Sequence, residues 1–217
     1  MIRSRFVRSF VLLFTVAAMG CSEALPTGPA PVAPMAPTQA QDGRISGLLG
    51  LITGIVGPLL KVIEFQTDPN GIPVDAIQWN WRHDTRSVAG IIGSDGGTLY
   101  IPSSDFSIAF PAGALSSPTY ISITSDGGNY VSYDMRPHGI KFAKPVIVTQ
   151  SLKNTRVFGT LDALNAAGAY FPQDQIDLTN PRALEIETTS IFSNSIGLAE
   201  LEIWQLNHFS RYMLASG

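Results

Sequence analysis

The chain has 217 residues, 45% of them hydrophobic and only 14% charged, with 20 glycines, 15 prolines, one cysteine and a formal charge of −3. That composition provides one ordinary core and favours many turns and short strands over long solvated helices. With Arg3, Arg5 and Arg8 of the first 20 residues set aside, 11 basic side chains face 17 acidic ones, a charge of −6 that offers no footprint for nucleic acid.

Residues 1–20 combine the basic start at Arg3, Arg5 and Arg8 with an apolar run from Phe10 to Met19 and small residues before Cys21. The run is too short to span a bilayer and has the anatomy of a secretory signal peptide. Ala18-Met19-Gly20-Cys21 resembles the bacterial lipobox, in which cleavage exposes the cysteine and its sulfur is lipidated. Ala18 stands where that pattern usually has Leu. The resemblance implies an exported protein held to a membrane through Cys21, and it accounts for a lone cysteine that has no disulfide partner. Ser22, rather than Asp, follows the cysteine; by similarity to the lipoprotein sorting rule this implies the outer membrane of a bacterial cell envelope.

Residues 21–42 carry Pro26, Pro29, Pro31, Pro34 and Pro37 among Ala, Thr and Gln. This spacing predicts an extended tether with polyproline character, reaching about 50 Å at ~3 Å per residue.

Residues 43–65 form a Gly/Leu-rich apolar segment. In helical projection Ile45, Leu48, Leu49, Ile52, Ile55, Val56, Leu59 and Ile63 share one side, and Gly47, Gly50, Gly54 and Gly57 occupy the other. Four glycines at up to ~1 kcal/mol each, and Pro58, weigh against an isolated helix. Three readings stay open: a helix packed on its own domain or on a second copy, a helix lying in the lipid interface, or no fixed structure.

From Val74 to the C-terminus the texture is all-β. Predicted strands are Val74–Trp81, Ser87–Ile92, Thr98–Ile101, Phe106–Phe110, Thr119–Thr124, Tyr130–Met135, Val146–Ser151, Leu184–Phe192, Leu198–Gln205 and His208–Leu214, with a helical turn at Leu161–Ala169. Short strands at this spacing predict a single antiparallel β-sandwich over residues 74–217.

Four pieces punctuate it: Gly96-Gly97-Thr98-Leu99; Pro111-Ala112-Gly113-Ala114-Leu115; Pro137-x-Gly139-x-x-Phe142-x-Lys144-Pro145-Val146; and the ending His208-Phe209-Ser210-x-Tyr212. In this order they resemble the ZU-five domain, a β-sandwich module of netrin receptors, ankyrins, tight-junction scaffolds and death-domain scaffolds that also stands alone in bacterial envelope lipoproteins. The match runs from about Val88 to Val146 and resumes at the ending; residues 152–200 match only in texture. The resemblance implies a non-enzymatic module that binds a protein partner, not identified, or associates with itself.

The same resemblance raises one reaction. In death-domain scaffolds a matching His-Phe-Ser cleaves its own backbone: here Ser210 would attack the Phe209 carbonyl with His208 as base, on a strained peptide. The alternative is that His208 and Ser210 simply share one face of a closing strand.

Other chemistry has little support in the sequence. His83, His138 and His208 are far apart, with no second His or Cys at ligand spacing, so no metal site is expected. Ser94-Asp95-Gly96-Gly97 and its repeat Ser125-Asp126-Gly127-Gly128 lack the oxygen ligands of a calcium loop and read as hairpin turns. No hydrolase elbow, phosphate loop or dinucleotide fingerprint occurs, and no cofactor is expected. Asp174, Asp177, Glu185, Glu187, Glu200 and Glu202 read as solubilising strand-surface acids. Trp79 and Trp81 would share a strand face, the basis for a third function, a carbohydrate-facing surface; packing in the core or at its rim is the other use for them.

Overall fold

The computed structural model describes residues 57–171 and 178–217, which fall within a compact unit spanning residues 41–217. Cys21, the tether and most of the Gly/Leu-rich segment lie outside the described residues, as do Asp174 and Asp177. Among the described residues no helix is long and apolar enough to cross a membrane.

The described residues form sixteen strands: β1 (Leu59–Ile63), β2 (Gln66–Pro73), β3 (Asp75–Ala76), β4 (Gln78–His83), β5 (Arg86–Ile92), β6 (Gly97–Ile101), β7 (Phe106–Phe110), β8 (Thr119–Ser125), β9 (Gly128–Tyr130), β10 (Ser132–Arg136), β11 (Lys141–Ser151), β12 (Ala167–Phe171), β13 (Arg182–Ile186), β14 (Thr189–Ser193), β15 (Ala199–His208) and β16 (Arg211–Ser216). They form a six-stranded sheet in the order β1-β14-β15-β11-β7-β6 and an eight-stranded one in the order β2-β13-β12-β16-β10-β8-β5, with β3 added to β16. β4 and β9 make a small ribbon of their own. Every pairing is antiparallel, and the two sheets face each other across one core, as predicted for a sandwich.

Alternation decides which residues enter that core. In β7 Phe106, Ile108 and Phe110 are buried and Ser107 and Ala109 are not. β11 and β15 place Val146, Val148 and Gln150 beside Leu206, Trp204 and Glu202, all buried. Opposite them the eight-stranded sheet contributes Ile121, Ile123, Tyr133 and Tyr212. Full burial of such an apolar side chain is worth about 1.5–3 kcal/mol.

The four punctuating pieces clasp one another. Gly113 N–H donates to Ser94 O (2.7 Å), Lys144 Nζ to Ala112 O (2.6 Å) and Ala143 N–H to Ala114 O (3.0 Å). Gly139 N–H donates to Phe209 O (2.9 Å), and Phe209 N–H to Ile140 O (3.0 Å). Gly96 has φ 79°, and a Cβ there would lie 2.0 Å from Phe110 O, so only glycine fits.

Several expectations need correction. Leu59–Ile63, projected on a helix, is a strand paired to β14, and the sandwich begins there rather than at Val74. Leu161–Ala169 divides into a 3₁₀ turn (Leu161–Asn165) and the start of β12, because strand pairing on both sides of Ala-Gly-Ala outweighs its weak β preference. Leu184–Phe192 is two strands, β13 and β14, one in each sheet. The two Ser-Asp-Gly-Gly turns are corners: β5 and β6 belong to different sheets, and so do β8 and β9. Asp126 in the second turn accepts from Ser132 Oγ (2.9 Å) and Arg211 (3.2 Å).

Candidate functional site

The residues singled out at the C-terminus lie where the chain leaves one sheet for the other. His208 is the last residue of β15; Phe209 and Ser210 make the corner; Arg211 opens β16. The Phe209 ring is buried edge-on against Phe110 and Phe142. Its carbonyl accepts from Gly139 N–H and that of Ser210 from Met135 N–H (3.0 Å). The corner has no positive φ; among the described non-glycine residues that conformation occurs at Asp105. No hydrogen bond between described residues joins His208 to Ser210. The imidazole is engaged elsewhere.

Its surroundings follow from register. Tyr170, Glu185 and Tyr212 are direct cross-strand partners, Tyr170 with Glu185 and Tyr170 with Tyr212, so all three project from the same face of the eight-stranded sheet. That face meets the end of β15. His208 Nε2 lies 3.0 Å from Glu185 Oε2, and the Tyr212 hydroxyl is 3.3 Å from His208 Nδ1 and donates to His208 O at 3.1 Å. Tyr170 meets the imidazole edge-on at 5.2 Å. Glu187, two residues beyond Glu185 and so on the same side, joins them. Its N–H is held by Gly168 O (2.8 Å). One ligand atom each from Glu185, Glu187 and His208 lies within 4.8 Å of the others.

Two carboxyls here share little solvent. Glu187 is 2% exposed, and burial, reinforced by the negative Glu185, pushes its carboxyl up to about 8; the Tyr212 hydroxyl pulls in the opposite direction. Burial, with Glu187 and Glu185 adding to it, also holds the Tyr212 phenol protonated. Glu187 is therefore not a solubilising surface acid, and neither is Glu202. The Glu202 carboxyl is fully buried on the inner face of β15, both oxygens lack a hydrogen-bond partner, and burial raises it well above the usual carboxylate range.

The two tryptophans differ in burial: Trp79 is buried in the core, whereas Trp81 is 56% exposed. Both stack on His83, at 4.3 and 5.7 Å, and burial lowers the His83 imidazole despite the adjacent Asp84. His138 is bonded to Asp134 (2.5 Å), far from His208 in the sequence, and takes part in a different cluster.

A second feature lies on the outer face of the six-stranded sheet. A groove of about 750 Å³ is lined by Tyr100, Ser107, Thr149, Ser151, Lys153 and Glu200, among others. Among the described residues the sheet ends, beyond Phe192, at β1, whose Leu59, Leu60 and Val62 are 40–47% exposed, as is Phe65 just after it. The sequence signal for the groove was weak, because alternate Ser and Thr positions on separate strands converge only through register.

No protein-family model matches this chain, and no curated protein matches it.

Proposed function

We propose that this protein is a lipid-anchored component of a bacterial cell envelope, held to the membrane through Cys21, more readily in the outer than the inner membrane. Its ZU-five-like sandwich serves as a non-enzymatic interaction or structural module. The observation that carries the reading is β1. Among the described residues it is an edge strand with Leu59, Leu60 and Val62 exposed, and Phe65 continues the patch. Natural edges are normally blunted by charge, Pro or a covering element; here Pro58 precedes the strand and its one charge, Lys61, is bonded to Asn165, while the exposed apolar side chains on either side of Lys61 invite strand addition by a partner or a second copy. Two lysines, at Leu60 and Val62, would close that edge without touching the core. Crosslinking in intact membranes is expected to trap an adduct with the wild type and not with Leu60→Lys/Val62→Lys. Equal adducts from both would reject the edge as the binding surface. Cys21→Ser is expected to abolish acyl labelling and release the protein from membranes; retention in the acyl-labelled membrane fraction would reject the anchor.

A carbohydrate-facing role is the second reading, and the groove beside Tyr100 favours it: an exposed ring with hydroxyl and amide groups around it suits a sugar face and its hydroxyls. Retention on immobilised envelope glycan, lost in Tyr100→Ala, is its test. Self-cleavage before Ser210 has less support, since His208 makes its contacts with Glu185 and Tyr212; wild type and Ser210→Ala each showing only the mass of its own uncleaved chain would dismiss it.

A further inference from the structure

We infer that Glu185, Glu187 and His208 form a binding site for one divalent transition-metal ion of the Zn²⁺ or Mn²⁺ type, which staples the two sheets together. Three side chains able to coordinate, drawn from both sheets, converge within 4.8 Å in a partly buried corner. A tetrahedral ion with bonds of 2.0–2.1 Å needs its ligand atoms ~3.3 Å apart. His208 Nε2 and Glu185 Oε2, at 3.0 Å, already meet that span, and Glu187 closes it by a movement of about 1.5 Å at most.

The Tyr212 hydroxyl lies 3.3 Å from Nδ1 and 3.4 Å from Nε2 of His208, beside the ring rather than on the axis of either nitrogen, with His208 O at 3.1 Å. Nε2 faces the Glu185 carboxylate at 3.0 Å, a pairing that either a proton or a metal ion between them completes. Glu187 supplies the second carboxylate from a position 2% exposed, where an unneutralised charge is costly. The ligand chemistry selects the ion. Imidazole with two carboxylates suits Zn²⁺ or Mn²⁺, whereas Ca²⁺ requires six to eight oxygens. The site goes beyond the anchoring and binding roles above and does not depend on them. A chain with one cysteine has no disulfide of its own to brace the sandwich, and a metal ion fixed between β13 and β15 does that work.

The experiment uses the purified full chain, freed of metal with a chelator and titrated with ZnCl₂ and then, separately, MnCl₂. Uptake of one ion per chain is expected, with a higher unfolding midpoint in the ion's presence. In the wild type, imidazole NMR should show Zn²⁺ shifting His208 and leaving His83 and His138 in place. Glu185→Gln and Glu187→Gln should each weaken binding at least tenfold, while Glu200→Gln, in the outer groove, leaves it unchanged. The wild-type spectrum decides the matter even if a variant misfolds. Absence of stoichiometric uptake of either ion, uptake with His208 unmoved, or a shift centred on His83 or His138 overturns the site and leaves a simple His208–Glu185 ion pair.

Discussion

The Tyr133 phenol donates a 2.5 Å hydrogen bond to the side-chain oxygen of Gln150, joining the eight-stranded sheet to the six-stranded one in the middle of the core. The Gln150 amide is satisfied in turn by Ser104 O and Ser151 O, each at 2.8 Å. Tyr133→Phe keeps the ring packed, tilted, against Phe106 and strands the Gln150 oxygen without a donor. A loss of about 1–3 kcal/mol in urea unfolding is expected. Tyr133→Phe/Gln150→Leu should recover part of it, because both members of the pair are then apolar; a double variant weaker than the sum of the singles would count against this account.

Gly168 lies under Trp204, and a Cβ on it would stand 2.6 Å from Cδ2 and 2.9 Å from Cε2 and Cε3 of that ring. Trp204 is fully buried and has no room to swing away. Gly168→Ala is therefore expected to cost about 3 kcal/mol by overpacking alone. The unfolding midpoint checks this, and a shift within experimental error would show that the sheets can part locally.

The separation of Trp79 from Trp81 predicts unequal truncations. Trp79→Ala removes a buried ring and should destabilise by about 3–5 kcal/mol. Trp81→Ala removes a mostly exposed one and should change stability by less than about 1 kcal/mol. Denaturant curves for the two variants, side by side, are the measurement, and similar losses would contradict the burial of Trp79.

The raised carboxyls give a pH dependence of definite sign. The folded state holds the Glu187 proton up to about pH 8, while the unfolded chain releases it near 4.5. Stability contributed by this group is complete below pH 4.5, declines as pH rises toward 8, and is flat above, with a full swing on the order of 5 kcal/mol. Glu202, raised by burial, pushes in the same direction. In metal-free protein the urea midpoint should fall between pH 5 and pH 8, and Glu187→Gln should reduce that fall. An unchanged slope in the variant would show that Glu187 ionises freely in the folded state.

The sequence alone determined the all-β class, because alternation in runs such as Phe106–Phe110, bounded by Gly and Pro, is a local property that packing only has to accept. It also located the corners: Gly96 and Gly113 need their positive φ whatever surrounds them. It did not reveal β12, since Ala-Gly-Ala has no β texture and becomes a strand by being paired on both sides. Nor did it reveal that Glu185 and Glu187 meet His208, or that Glu187 and Glu202 point inward. Twenty-one residues separate Glu187 from His208, and their meeting depends on β13 and β15 lying in different sheets that face each other at one corner. A short alternating run with one acid in it reads alike whichever sheet takes it and whichever face it turns inward. Register and sheet assignment are decided by long-range pairing, and only the tertiary structure shows which side of each strand is shielded from water.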